Sequence, residues 1–258
     1  MNAARPDIAL IIPARNEELS LAGVLGNAPP GIKRIVVVDN GSTDATARVA
    51  AECGALVVSE PVAGYGRACL AGLASLRNDP PDMVAFADAD GSDELARLSS
   101  LIAPVAADEQ DLVLGRRIPT ERSALSFQQR FGHALATGLI HLFWKHRFRD
   151  LGPMRVIRWT ALEQLGMTDQ TFGWTVEMQI RALTHGLRVR EIDVPYHRRS
   201  AGISKISRTI SGVVKAGSTI LWVIGREVLR GASARNIPAA PNELTHARPV
   251  EPIRRMYH

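Results

Sequence analysis

The sequence predicts an α/β layered domain built on a twisted, mainly parallel sheet flanked by helices. Two observations carry that prediction. The first 115 residues alternate short β-branched runs with stretches of helical apolar spacing. Single helices between successive strands require crossover connections, which pair the strands in parallel and cover the sheet faces. The composition agrees. With 258 residues, 46% hydrophobic and 22% charged, the chain has apolar material for a core and is not disordered throughout.

Each element has its own warrant. Ile8–Ile12 reads as a buried strand stopped by Pro13, and Glu17–Leu25 as the first helix. Ile35–Val38 is a second strand ending at Asp39, followed by helix Ala45–Cys53 with Ser42 or Thr43 as its N-cap. Strand Ala55–Ser59, helix Arg67–Leu76, strand Met83–Ala87, helix Glu94–Val105 and strand Asp111–Gly115 complete the alternation. From about residue 120 the pattern changes. Ala124–Trp144 reads as a long helix with Phe127, Phe131, Leu135, Leu139 and Leu142 along one side, and a loop follows through Asp150 and Pro153. Thr175–His185 is a helix and Val189–Val194 a strand stopped by Pro195. Ser207–Arg230 is a final amphipathic helix, lying on the protein core or on a bilayer surface, with the core preferred. Its longest uncharged run, Ala216–Gly225, is far short of the roughly 20 residues of a membrane span. The expected organisation is one domain over 1–231, halved at 115/116, and a flexible tail over 232–258 rich in Pro, Ala, Asn and Arg.

Composition also excludes some functions. Two cysteines, Cys53 and Cys69, rule out a disulfide scaffold and a thiolate zinc site and suit a reducing compartment. The N-terminus lacks the apolar run of a signal peptide. The charge is uneven: residues 181–258 carry 14 Lys/Arg against 5 Asp/Glu, whereas residues 1–180 carry 17 against 21. Such a basic end suits an anionic partner, be it nucleic acid, a membrane surface or a phosphorylated substrate.

The chemistry sits at the strand ends. In an open parallel sheet, ligands bind beyond the carboxyl ends of the strands. There the sequence places Pro13-Ala-Arg15-Asn-Glu17, Asp39-Asn-Gly-Ser-Thr-Asp44 and Asp88-Ala-Asp90-Gly-Ser-Asp93. Two close carboxylates, Asp88 and Asp90, are costly without a cation, and a hard divalent ion with a diphosphate is the natural partner. The bland alternative is a turn at Asp90-Gly91 with Asp93 or Ser92 capping the next helix. An EF-hand fails because Asp93 stands where Gly belongs. A dinucleotide fingerprint fails because Gly64-Tyr-Gly66-Arg-Ala lacks its third glycine. A phosphatase with Asp88 as nucleophile fits Phe86–Ser92 and remains the rival of a different class.

The chain resembles family 2 glycosyltransferases, in the branch of dolichol- and polyprenol-phosphate sugar synthases. The resemblance rests on Ile11-Ile-Pro-Ala-Arg-Asn-Glu17, Val36-Val-Val-Asp39-Asn-Gly-Ser-Thr-Asp44, Gly64-Tyr-Gly-Arg67-Ala and Phe86-Ala-Asp-Ala-Asp90. It continues through Asp111-Leu-Val-Leu-Gly-Arg-Arg117, Asp150-Leu-Gly-Pro-Met-Arg155, Gly173-Trp-Thr-Val-Glu177-Met and Arg198 to Ser204-Lys205-Ile206. It implies a GT-A fold with a Rossmann-like sheet, a nucleoside-diphosphate sugar as donor and inversion at the anomeric carbon. By resemblance, Pro13, Arg15, Glu17 and Asp39 line the base and ribose pocket, and Arg67 closes it. Asp88 lies on the ribose or metal side and Asp90 ligates Mg²⁺ or Mn²⁺.

Departing diphosphate needs positive charge. Arg117, Arg155, Arg199 and Lys205 match the family's basic positions, with Ser204 beside them; Arg116 and Arg198 read as flanking residues. Glu177 has two readings: the base that activates a hydroxyl acceptor, or a helix-start carboxylate favoured by the helix dipole. Asp150 orients either an acceptor or an arginine. Trp174 is equally a sugar platform or a core side chain. His133 and His141 do not stand at metal-ligand spacing. A lipid-phosphate acceptor is the first choice and a sugar or small-molecule hydroxyl the second. No nucleic-acid partner is expected. The expected location is the cytoplasm, with peripheral contact at the inner membrane face as an option.

Overall fold

A computed structural model describes residues 6–121, 127–199 and 210–235. Seven strands form a single sheet in the order β3-β2-β1-β4-β6-β5-β7. They are β1 (Ile8–Ala14), β2 (Arg34–Asp39), β3 (Leu56–Ser59), β4 (Met83–Phe86), β5 (Leu112–Pro119), β6 (Arg155–Arg158) and β7 (Val189–Tyr196). β6 runs antiparallel to β4 and β5; the other pairings are parallel. The sheet is therefore mainly parallel, as the crossover argument requires.

Helices cover both faces. They are α1 (Leu21–Gly26), α2 (Thr46–Glu52), α3 (Tyr65–Leu76), α4 (Leu98–Ala106), α5 (Phe127–Trp144), α6 (Trp159–Leu165), α7 (Trp174–Thr184) and α8 (Ile210–Arg235). The period-2 alternation of the strands divides the core. Ile11, Val36, Val38 and Phe86 pack under α3, α5, α7 and α8, while Leu10, Ile12, Val37 and Ala85 pack under α1, α2 and α4.

Several elements differ from the sequence reading. β6 and α6 fall between the loop ending at Pro153 and the helix expected from Thr175, a stretch to which the sequence assigned no element. β6 has only four residues, with arginine at both ends, so its alternation is too short to detect; Val156 and Ile157 nevertheless bury on opposite faces. The fourth helix opens with a 3-10 turn, Leu95–Arg97, and β5 runs on to Pro119. α8 extends to Arg235 where the sequence ended the helix at Arg230, and the remaining residues lie outside the described ones. Neither Ser42 nor Thr43 caps α2. Asp44 Oδ1 instead accepts from the backbone N–H of Thr46 at 3.0 Å and from its hydroxyl at 2.5 Å. Ser42 Oγ and Thr43 N are taken by Asn16, which ties the loop after β1 to the loop after β2.

Candidate active site

The strand order changes direction at β1, which has β2 on one side and β4 on the other. Such a point opens a crevice at the carboxyl edge of the sheet. Register aligns Ala14 with Asp39 and Ile11 with Phe86, so the loops after β1, β2 and β4 emerge side by side. Parallel β5 and β7 bring Arg117 and Arg199 to the same edge. Antiparallel β6 starts there, which delivers Asp150 and the loop before Arg155.

The acidic loop after β4 forms one side. Gly91, with φ +73°, turns the chain in a region that L side chains rarely adopt. Asp90 is buried; its Oδ1 accepts from Ser92 N–H at 2.8 Å and its Oδ2 lies 2.8 Å from Arg199 Nε. Arg199 Nη1 stands 3.4 Å from Glu17 Oε1. Ser20 Oγ lies 3.1 Å from Glu17 Oε2 and 2.9 Å from Ala89 O, joining the β1 and β4 loops.

Burial pushes the Asp88 carboxyl well above the usual range, and the charges of Asp90 and Asp93 push it further; Arg117 and Arg199 oppose them. Asp93 is pushed up to about 7, chiefly by burial and against the pull of Arg117. Both of its oxygens are buried without a hydrogen bond of ordinary geometry. The loop is thus a set of hard oxygen donors short of positive charge, which fits a divalent cation of the Mg²⁺ class. Among the described residues, no group of three or more His, Cys, Asp or Glu is arranged to hold a metal ion by itself. Asp88 and Asp90 would therefore supply only part of a coordination shell.

Arg117 stands on the other side. Its Nε and Nη2 both donate to the Asp150 carboxylate at 2.8 Å, a bidentate pair, and its guanidinium lies 5.1 Å from the centre of the Tyr196 ring. His133 Nδ1 lies 3.3 Å from Asp150 Oδ1. Burial alone would raise the Asp150 carboxyl, but hydrogen bonds from Arg117 and His133 hold it well below the usual range. Beyond this pair opens a cleft of about 570 Å³ between α5 and the loop 145–150, lined by Arg117, His133, His141, Arg147 and Arg149.

The third side is the loop around Asp39. Asp39 Oδ1 accepts from Ser42 N–H at 3.1 Å, and Pro13 and exposed Arg15 lie at the end of β1. Asn40 Oδ1 accepts from Gly64 N–H at 2.8 Å, which ties the loop after β2 to the entrance of α3, where Arg67 is partly buried.

The sequence model of glycosyl transferase family 2 matches residues 9–166, which includes each of the three loops at the switch point. The chain belongs to that family. An uncharacterized glycosyltransferase of Mycobacterium tuberculosis is 40% identical over 209 residues, covering 81% of this chain and 94% of the relative. A dolichyl-phosphate hexose transferase of Haloferax volcanii is 29% identical over 228 residues, covering 87% and 96%. Among solved structures, the M. tuberculosis glucosyl-3-phosphoglycerate synthase bound to Mn²⁺, UDP and glucosyl-3-phosphoglycerate superposes with a TM-score of 0.66. It is 20% identical, with 85% of this chain and 80% of that one covered. The fold is GT-A.

Within this family 2 glycosyltransferase, the structure corrects two residue assignments. Arg155 is buried, and its guanidinium donates to Gly152 O, to Pro153 O at 3.3 Å and to Thr175 O at 3.2 Å. It holds the 150–153 loop from beneath and does not face a diphosphate. Glu177 has no exposed surface, and its oxygens accept from Thr168, Asp169, Arg181 and Arg226. Glu177 thus stands in the first turn of α7, as its helix-start reading has it, enclosed by these partners and not open to an acceptor hydroxyl.

Trp174 is a core side chain set edge-on against Phe86. Arg116 is paired with Asp193. Ser204 and Lys205 lie outside the described residues. Sequence reasoning missed Asp93 as a third acid, Asn40 as the tie to α3, and His133 and Tyr196 around Arg117. Only Asp93 had a signal, because it follows two acids in the same short loop. The others act on partners 16 to 79 residues away.

Proposed function

We propose that this glycosyltransferase moves a hexosyl group, with inversion, from a UDP- or GDP-sugar to the phosphate of a polyprenyl-phosphate-type acceptor. The observation that carries the reading is the basic cleft behind Arg117. A hydroxyl acceptor needs a base, and the carboxylate expected to serve is enclosed by two arginines. A phosphate acceptor is already an oxyanion and needs only cations around it. Arg147 and Arg149 supply them, and Arg117 and His133 line the same cleft. The dolichyl-phosphate hexose transferase among the relatives supports the same acceptor class.

The donor nucleotide would lie along Pro13, Arg15, Glu17, Asp39 and Arg67. Asp88 and Asp90 would hold Mg²⁺ or Mn²⁺ against the diphosphate. When bound, the metal stabilises negative charge on the leaving diphosphate. A phosphate oxygen of the acceptor attacks the anomeric carbon, the bond to the diphosphate oxygen breaks, and the electron pair leaves with the nucleotide. Arg117 lies between the acceptor cleft and the acids, where it screens the repulsion between two anionic substrates. Arg199 adds positive charge on the nucleotide side. The glucosyl-3-phosphoglycerate synthase captured with Mn²⁺ and UDP supports this donor chemistry.

No described helix is long and apolar enough to cross a membrane. A lipid acceptor would then be met peripherally. α8 presents exposed Leu221, Trp222 and Leu229 beside Arg226 and Arg230, a face suited to an anionic bilayer surface.

Incubation with UDP-glucose or GDP-mannose, Mn²⁺ and a short polyprenyl phosphate, read by mass spectrometry, tests the proposal. The expected product is the polyprenyl-phosphate hexose. Transfer only to the hydroxyl of 3-phosphoglycerate or of a free sugar would overturn it. The family assignment also removes the phosphatase reading of Asp88.

A further inference from the structure

Glu177 is enclosed, ionically paired and distant in sequence from the loops of the site, yet its partners lead back to that site. Its Oε2 accepts from Thr168 N–H at 3.0 Å and Asp169 N–H at 2.8 Å, and its Oε1 accepts from Thr168 Oγ1 at 2.7 Å. The loop pinned in this way delivers its own carbonyls to the start of α3. Gln170 O accepts from Arg67 N–H and Thr171 O from Gly66 N–H, both at 3.1 Å. A side chain at Gly66 would collide with Asp169 O, so the two segments touch backbone to backbone. On its other flank, the entrance to α3 is held by Asn40, the neighbour of Asp39.

The remaining ligands of Glu177 come from helices. Arg181 Nη2 lies 2.9 Å from Oε1, and Arg226 Nη2, from α8, lies 2.6 Å from the same oxygen. Arg226 also reaches Glu227 Oε1 at 3.0 Å and packs 4.9 Å from the centre of the Trp222 ring. A continuous set of short contacts therefore runs from α8 through Glu177 and the loop 168–171 to Gly66 and Arg67.

We propose that the Glu177–Arg226 pair is a positioning device for the donor nucleotide, one that makes nucleotide affinity depend on the docking of α8. Glu177 acts through the loop and touches no substrate. The inference rests on the reading that the Gly64–Arg67 segment borders the nucleotide pocket. A buried carboxylate deprived of one cation destabilises the backbone it holds, here the loop that supports that segment.

Calorimetric titration of UDP and of GDP, with Mn²⁺, into wild type, Arg226→Met, Arg226→Lys, Glu177→Gln and Arg230→Ala tests the device, with thermal melts and turnover measured in parallel. Arg226→Met and Glu177→Gln are expected to weaken nucleotide binding about tenfold and raise the donor KM equally, with kcat at saturating donor retained. Arg226→Lys recovers most of the affinity. Arg230→Ala, which meets Glu227 and not Glu177, leaves it unchanged. Should Glu177→Gln not fold, the Met and Lys variants at 226 decide. Unchanged affinity in Arg226→Met, or a melting temperature that falls without any change in affinity, overturns the device. So does a collapse of kcat in Glu177→Gln at normal affinity, which would restore the base. Wild type that binds neither nucleotide overturns the donor reading itself, and the device with it.

Discussion

Arg199 Nε lies 2.8 Å from Asp90 Oδ2 while its Nη1 stands 3.4 Å from Glu17 Oε1, so a single guanidinium bridges the loops that leave β4 and β1. It occupies the position at which added positive charge relieves the acids around Asp88. An arginine there and a divalent ion on Asp90 serve the same electrostatic need. Arg199→Met is therefore expected to lower the melting temperature of the metal-free protein, by about 2–4 °C for each 1 kcal/mol lost. Mn²⁺ with nucleotide should restore more stability to this variant than to wild type. Equal metal-induced shifts in both proteins would contradict the relationship.

Asp90→Ala removes one of the two carboxylates assigned to the cation. Metal-dependent binding of UDP or GDP should disappear in calorimetry, and turnover with it, while circular dichroism shows a folded chain. Normal turnover in this variant would remove Asp90 from the site.

Asp93 gives a pH prediction. Its folded-state value, about 7, lies above the ordinary 3.8, so the folded protein binds the proton more tightly than the unfolded chain. The sign follows: its contribution is full below pH 3.8 and is lost as pH rises to about 7. Asp93→Asn should thus be more stable than wild type at pH 8 without metal, with the gap closing toward pH 4. Urea midpoints at pH 4, 6 and 8 check it; a gap that widens toward acid would refute it.

Arg117 donates to Asp150 through two parallel bonds that a lysine cannot reproduce. Arg117→Lys should lower kcat/KM for a phosphate acceptor by about 100-fold, the scale of losing an electrostatic stabiliser. Nucleotide affinity should hardly change, because Arg117 and Asp150 line the cleft proposed for the acceptor. A loss confined to nucleotide binding would move Arg117 to the donor side.

Packing offers a check independent of function. A Cβ on Gly72 of α3 would come within 2.7 Å of Ile11 Cγ2 and 3.1 Å of Val38 Cγ2. Gly72→Ala should cost about 1–3 kcal/mol of stability through overpacking. A neutral effect in urea melts would mean that α3 sits further from the sheet.

The sequence by itself determined the mainly parallel sheet and which segments meet at its carboxyl edge. Both are local signals. A β-branched run identifies a strand by its own periodicity, and the acid or glycine after it identifies the loop. Asp39, Asp88 and Asp90 could therefore be placed at the ends of their strands one segment at a time, and the order of the motifs placed the family.

Only the tertiary structure decided what surrounds each charge. Arg155 turns beneath the 150–153 loop, Glu177 is enclosed by Arg181 and Arg226, and Arg117 is paired with Asp150 at the wall of the cleft behind it. Glu177 and Arg226 are 49 residues apart, and no local pattern links them. The physical reason is that a charge acts through its surroundings: burial, pairing and the dielectric around it are set by segments far away in sequence. The same holds for β6, whose four residues became a strand because β4 and β5 stood ready on either side with unpaired edges.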